Sequence, residues 1–353
     1  MRAVVVRAFG DRPVVEDVPD PVAPPGGVVV RVDATGLCRS DWHAWAGHDP
    51  DVVLPHVPGH ELAGTVESLG AGLDGADGPD GPAVGDRVTA PFVLGCGTCA
   101  RCRAGDQQVC ERQEQPGFTY WGSFAERVVV PRAATNLVRL PDEVGDDAAA
   151  LLGCRYTTAF RALVAVGRLA AGETVAVHGC GGVGLSAVQL AVAAGARVVA
   201  VDPSPAARTL AGRLGAAAAV DPTGLAWAEV AGAVRDAAGG GLDVSLDALG
   251  SEATCAASLA GLRPRGRHVQ VGLLPEALGD PQVPLRLVVA GELELLGSHG
   301  MAAHAYPPLL ALVASGRLDP TVLVTRTVDL DGGAAALAAM GDAPGAGVTL
   351  VRP

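Results

Sequence analysis

Lysine is absent: all 26 strongly basic side chains are arginine, set against 38 carboxylates and 8 histidines. With its abundant alanine, glycine and valine, this is the composition of a GC-rich coding sequence, and it excludes no mechanism. The shortage of positive charge excludes more. A formal net charge of −12 leaves no cationic footprint for nucleic acid. No apolar run reaches the roughly 18 residues a membrane span needs, because glycine or charge interrupts each one first. The opening stretch, MRAVVVRAFGDRPVVEDVPDP, lacks the apolar core and small-residue cleavage site of a signal peptide. The expectation is a cytoplasmic chain with neither a membrane nor a nucleic-acid partner. Aromatic residues make up only 3% of the chain, so a local concentration of them stands out.

What is present suffices for more than one core. The chain has 353 residues, 49% of them hydrophobic, with a mean hydropathy of +0.32, which suits two domains. Of 8 cysteines, four form the run Cys96, Cys99, Cys102 and Cys110. That C-x2-C-x2-C-x7-C spacing can close a tetrahedral thiolate shell around one Zn2+ with no position left open, which is a structural site. A disulfide framework fits poorly in a long chain without a secretory signal.

The first 150 or so residues alternate β-like runs, such as Ala3–Val6 and Val28–Val32, with Pro/Gly turns. Gly70–Ala83 reads as a surface loop. From Ala148 the character changes to a helical run over 148–167. Strand Thr174–His178, turn Gly179–Gly184, helix Leu185–Ala194 and strand Arg197–Val201 then form a βαβ unit. Further strands are expected at Ala217–Val220, Asp243–Ala248 and His268–Gly272, alternating with helices at Pro205–Leu214, Ala226–Ala238 and Thr254–Leu262. This alternation predicts a doubly wound parallel sheet. The last stretch is mixed and is expected to rejoin the first domain.

The turn HGCGGVG holds Gly179, Gly181 and Gly184 as G-x-G-x-x-G between strand and helix. In that pattern Gly179 permits the tight turn, Gly181 the close approach of a pyrophosphate, and Gly184 close helix–strand packing. The helix N-terminus faces the phosphates with free N–H groups. Asp202 ends the next strand, 18 residues beyond Gly184, where an acid would hold ribose hydroxyls and repel a 2′-phosphate. NAD is therefore preferred over NADP, with Arg208 nearby keeping NADP open.

Cys38, His60, Glu61 and Cys154 are too far apart for spacing to show convergence, and singly each reads as a buried or solvated residue. Together, however, the ordered motifs GLCRSDWH, PGHELAGTVESLG, VGDRV, the cysteine run, GCRYTTAF and GCGGVG followed by VVAVD make the whole chain resemble the zinc-dependent alcohol dehydrogenases of the medium-chain dehydrogenase/reductase superfamily. The resemblance implies an α/β fold with a GroES-like β-rich catalytic domain over 1–153 and 298–353 and a Rossmann cofactor domain over 154–297. It makes Cys38, His60 and Cys154 ligands of a catalytic zinc with an open fourth position, Glu61 an acid close behind it, and Asp41 the partner that fixes the tautomer of His60. With the cysteine run this gives two Zn2+ per chain.

The same resemblance assigns Ser40 and His43 to a proton relay and Arg39 to the cofactor pyrophosphate. Gly182 joins the phosphate-binding turn, Thr158, Val183 and Val271 lie along the cofactor, and Trp42 and Phe92 line the substrate pocket. Trp45, Tyr120 and Trp121 are further candidates for that apolar pocket. Ser40, smaller than threonine, leaves room for a secondary or branched alcohol. Cys154 stands where polyol dehydrogenases often carry glutamate, which disfavours a polyol. Gly347 stands where the family often has a basic residue that helps hold the pyrophosphate. Cys180 and Cys255 are expected to be small buried residues, and His48 and His56 surface or turn residues rather than ligands.

The implied activity is hydride transfer between an alcohol, primary or secondary and apolar, and NAD(P), in a homodimer or homotetramer. A biosynthetic reductase of C=N or activated C=C bonds is the alternative within the superfamily. A zinc-ribbon binding protein and a nicotinamide-binding redox sensor are the alternatives outside it. Acidic charge and a complete second ligand set oppose the ribbon.

Overall fold

The computed structural model describes residues 1–73, 81–274, 281–341 and 346–353. Residues 74–80 of the expected loop Gly70–Ala83 therefore lie outside the described residues. The chain divides into two compact units, Met1–Thr157 with Gly300–Pro353, and Thr158–His299.

The first unit begins with β1 (Arg2–Val5), β2 (Val14–Asp17), β3 (Val28–Gly36), β4 (Leu62–Leu69), β5 (Arg87–Thr89), β6 (Arg127–Val130) and β7 (Val138–Arg139). The second holds β8 (Thr174–His178), β9 (Arg197–Val201), β10 (Ala218–Val220), β11 (Leu242–Asp247), β12 (Leu262–Gln270) and β13 (Glu294–Gly297). The chain then returns with β14 (Val324–Val328) and β15 (Val348–Val351).

In the first unit β1 pairs with β2, and seven strands form a mostly antiparallel sheet, β14-β15-β3-β4-β5-β7, with β6 also on β3. Alternation in β3 sends Val28, Val30 and Val32 into a core with Leu62, Val66, Val88, Leu94 and Val128. A second cluster packs Leu330 and Leu337 of the helix Leu330–Ala339 against Val4, Leu37, Phe124 and Val351. The end of β3 matters for the site. Gly36 pairs with Leu350 of β15, and the Leu37 amide donates to the Thr349 carbonyl at 3.0 Å, so the last strand fixes the backbone that delivers Cys38.

In the second unit six parallel strands lie in the order β10-β9-β8-β11-β12-β13. Val175, Ala176 and Val177, like Val198, Val199 and Ala200, are fully buried in succession. Such continuous apolar runs mark strands covered on both faces.

Two elements differ from the sequence reading. The run over 148–167 is helical, but Leu152–Tyr156 and Arg161–Val166 wind as π-helix, with i→i+5 bonds from Tyr156 to Leu151 and from Gly167 to Ala162. The Thr157 hydroxyl takes up the Cys154 carbonyl at 3.0 Å. And β12 starts at Leu262, through Arg263, Pro264, Arg265 and Gly266, where the sequence reads as loop. Its pairing with β11 carries a register shift there. No helix among the described residues is long and apolar enough to cross a membrane.

Candidate active site and metal centres

Cys38 sits at the N-cap of the helix Arg39–Trp45, and Asp41 lies in that helix's first turn. The fully buried Asp41 carboxylate accepts three N–H groups: Cys38 N at 2.8 Å, Gly59 N at 3.0 Å and His60 Nδ1 at 2.9 Å. It ties the two loops that carry Cys38 and His60, and it sets the histidine tautomer, leaving Nε2 free for other use. Cys154 enters from the π-helical turn. Ligand atoms of Cys38, His60, Glu61 and Cys154 all lie within 4.8 Å of one another. His60 Nε2 is buried with no hydrogen-bond partner among the described residues. Two thiols and this orphaned imidazole nitrogen are a donor set suited to Zn2+.

The electrostatics are those of a ligand cluster. Cys38 is held well below the ordinary thiol range, first by a hydrogen bond with Cys154 and then by His60. Cys154 is pushed up by that same bond and by burial. Burial works against charge on His60, but Asp41 and Cys38 together outweigh it and raise the imidazole well above its usual value.

Glu61 is fully buried behind this cluster, and Arg155 holds it. Arg155 Nε lies 3.0 Å from both carboxylate oxygens, its NH2 pairs with Oε2, its backbone amide donates to Oε1 at 3.1 Å, and its NH2 also reaches the Leu37 carbonyl at 3.1 Å. Burial pushes the Glu61 carboxyl up, and Arg155 opposes that. Sequence reasoning missed Arg155, since an arginine in a helical run reads as solvated. It also missed Phe118, whose ring packs edge-on against His60 at 5.4 Å. Phe92 meets the same imidazole at 6.1 Å.

Ser40 Oγ lies 3.9 Å from Cys38 Sγ. His43 is held below its ordinary value, first by burial and then by Arg39, so it is neutral at pH 7. Its Nδ1 lies 3.0 Å from His48 Nδ1. Arg39 stacks over the Trp42 ring at 4.2 Å and donates to the Met340 carbonyl at 2.8 Å.

Several expectations need correction. His56 is not a surface residue: it is 2% exposed, with Nε2 at 2.8 Å from the Gly117 carbonyl. Tyr120 packs on the β-sheet core with its hydroxyl on the Val129 carbonyl, Trp45 packs with the helix Leu330–Ala339, and Trp121 is partly exposed with Nε1 on the Pro55 carbonyl. Gly347 has φ +92°, and a Cβ there would come within 2.8 Å of the Leu323 carbonyl oxygen. Backbone geometry therefore excludes a basic side chain at 347.

Cys96, Cys99, Cys102 and Cys110 form a second cluster, ligand atoms again within 4.8 Å. The pairs Cys96–Cys102 and Cys99–Cys110 stand 3.9 and 3.8 Å apart at sulfur, far beyond a disulfide length of about 2.05 Å. Backbone amides point at the sulfurs: Thr98 and Cys99 at Cys96, Cys102 at Cys99, and Cys96 and Arg112 at Cys110. The Thr98 amide, ahead of other contacts, brings Cys96 down to about 5.

In the second unit Gly179 has φ +87°, and a Cβ on Gly184 would lie 1.8 Å from the Gly179 carbonyl oxygen. A Cβ on Gly181 would enter open space, so the loop offers bare backbone at Gly181, the N-cap of the helix Gly182–Ala193. This cradle fits a dinucleotide pyrophosphate. Asp202 Oδ2 accepts the Cys180 amide at 2.7 Å and Oδ1 the Ser204 amide at 2.8 Å, so the acid expected to hold the ribose braces the Gly-rich loop here. Arg208 caps the Asp202 carbonyl and pairs with Asp221 at 2.9 Å. Val271 donates its amide to the Asp247 carbonyl, and Thr158 Oγ1 is buried without a partner among the described residues. Cys180 and Cys255 are buried, as expected.

Residues 24–142 match the alcohol dehydrogenase GroES-like domain, and residues 182–315 match the zinc-binding dehydrogenase domain. An alcohol dehydrogenase of Geobacillus stearothermophilus is 34% identical, covering 92% of each chain. The chain belongs to the zinc-dependent alcohol dehydrogenase family. The solved alcohol dehydrogenase TADH from Thermus sp. ATN1 superposes on this dehydrogenase with a TM-score of 0.88 at 33% identity, covering 100% of this chain and 99% of that one. An acryloyl-coenzyme A reductase of Sulfurisphaera tokodaii is 28% identical over 93% of each chain. The GroES-like and Rossmann expectation holds, and the enzyme is an oxidoreductase of the alcohol dehydrogenase class.

Proposed function

We propose that this dehydrogenase holds two Zn2+ per chain and moves a hydride between an apolar primary or secondary alcohol and NAD(H), in preference to NADP(H), in the cytoplasm. The convergence of Cys38, Cys154 and the orphaned Nε2 of His60 carries the reading. These three residues would hold one ion, and the cysteine run the other. Zinc in the first site supplies Lewis acidity to a bound oxygen, and a nicotinamide supplies the hydride acceptor. Asp41 keeps His60 Nε2 turned inward. Ser40 hydrogen-bonds the substrate hydroxyl, and the proton leaves by way of the cofactor's ribose hydroxyls towards His43 or water. Glu61, held by Arg155, keeps a counter-charge close behind the ligands. Phe92 and Phe118 exclude water beside His60, with Trp42 lining the substrate side. Arg39 and the amides of Gly179–Gly184 hold phosphates, Thr158, Val183 and Val271 flank the cofactor, and Asp202 its ribose, with Arg208 behind it.

The complete ligand and relay set favours carbonyl chemistry over reduction of C=N or C=C bonds. The resemblance to an acryloyl-coenzyme A reductase keeps the second reading testable. A homo-oligomer is supported by the open edge of β13 and by exposed Leu285, Val289 and Leu295 beside it.

Nicotinamide absorbance assays on zinc-replete protein test the reading, using primary, secondary, benzylic and polyol alcohols with either cofactor, and carbonyls and activated alkenes in reverse. Turnover that stops on zinc removal and favours NAD(H) supports it. Turnover confined to alkenes, or none from protein holding two zincs and binding NADH, rejects it. In the same assay Asp202→Ser should lower NAD+ efficiency and narrow the preference over NADP+ by about tenfold, the scale of one lost ribose interaction.

A further inference from the structure

We propose that His48 is the outlet of the proton relay, taking the proton from His43 and releasing it to water. The proposal rests on the relay reading of Ser40 and His43 given above.

His43 lies in the last turn of the helix Arg39–Trp45, and the chain turns back at Gly47, φ +79°, so that the His48 amide donates to the His43 carbonyl at 2.9 Å. That turn places the two Nδ1 atoms 3.0 Å apart. The Trp42 ring stands edge-on to both imidazoles, at 5.0 Å from His43 and 5.5 Å from His48, and walls one side of the pair. His43 is half-buried, while His48 is exposed. The charged or titratable groups acting on His43 are Arg39, His48 and Cys38.

Two neutral imidazoles meeting Nδ1 to Nδ1 at this distance share one proton: one nitrogen donates and the other accepts. With that proton on His43, the His43 Nε2 lone pair is free and His48 carries its own proton on Nε2. A proton reaching His43 Nε2 forms an N–H bond there. The His43 Nδ1–H bond breaks as a His48 Nδ1–H bond forms. His48, now an imidazolium, gives its Nε2 proton to water. One proton enters and one leaves, and no redox partner is needed. Exchange of ring protons with water restores the starting tautomers, and the reverse sequence delivers a proton for carbonyl reduction. His48 touches neither substrate nor cofactor and acts only through His43.

Stopped-flow proton release, read with an indicator dye during a single turnover of alcohol oxidation by the zinc-replete enzyme, tests this. His48→Gln should slow proton release about tenfold at pH 7, a modest share of what a positioned proton carrier contributes. The loss should shrink as pH rises, and added imidazole should restore the rate. Thermal stability and substrate KM should stay as in the parent, since His48 is exposed. Long-range 1H–15N spectra of the rings give a readout without turnover: Nδ1 of His43 should be protonated and Nδ1 of His48 bare in the parent chain at neutral pH. Unchanged proton release in His48→Gln, or two bare Nδ1 atoms, overturns the proposal. If His43→Gln also releases protons at the parent rate, the relay reading itself is what fails.

Discussion

Asp41 makes the ligand set a unit. One carboxylate receives the amides of Cys38 and Gly59 and the ring of His60, so replacing it removes an orientation and a loop tie together. Asp41→Asn turns one acceptor oxygen into a donor amide facing donors. It should weaken zinc binding by about 10–100-fold, as loss of such supporting partners does, measured by competition with a chromogenic chelator. Arg155 is the counterpart on the Glu61 side. Arg155→Gln strands a fully buried carboxylate and should cost about 3–5 kcal/mol in chemical denaturation, with Glu61→Gln in the same chain recovering much of it. Asp41, His60 and Cys154 were legible because they stand in ordered motifs. Arg155 was not, because its role depends on a contact with a residue 94 positions away, and nothing local separates a buried arginine from a solvated one. His56 misled for the same reason: its buried ring is paired with the carbonyl of Gly117, 61 positions away.

At the level of elements, the parallel strands β8 to β11 were readable to within a residue because apolar runs and glycines bound them. Where a strand is pinned by neighbours alone, as in the arginine-rich start of β12, the pattern is silent. The π turns around Cys154 are equally silent, since their composition is that of an ordinary helix. The end of β8 carries a further consequence. His178 directly precedes Gly179, is 1% exposed, and has neither ring nitrogen partnered among the described residues. Burial, ahead of the opposing Asp247 charge, brings it down to about 4. Below about pH 6.5 the unfolded chain takes up a proton there that the folded chain refuses until about 4, so stability falls as pH drops through that window. Urea denaturation from pH 7 to 4 should show a shallower loss for His178→Gln than for the parent chain.

For the whole molecule, the two ligand clusters differ in how they are made. Cys96–Cys110 is one loop, whereas Cys38, His60 and Cys154 come from three separated segments. Chelator challenge at neutral pH should therefore release two zinc ions per chain in two resolved kinetic phases. Cys99→Ser should remove one phase and leave the other, as read by dye absorbance and by metal analysis. A single phase, or one ion per chain, would contradict the two-site reading.

The discontinuity of the first unit also orders events at the ribosome. Residues 158–299 are contiguous and are complete while β15 is still unmade. All four thiols of the cysteine loop are in place by residue 110 and the Arg112 contacts follow at once, so this loop can capture a metal ion early in translation. The Cys38 segment is different: the end of β3 finds its partner only in Thr349–Val351, which are synthesised after all three ligands of that centre. The first of these ligands to emerge is thus seated by a strand made long after it. On the two-site reading, the Cys38–His60–Cys154 centre is completed only once β15 has emerged, and a nascent chain stalled before residue 348 should carry one zinc rather than two.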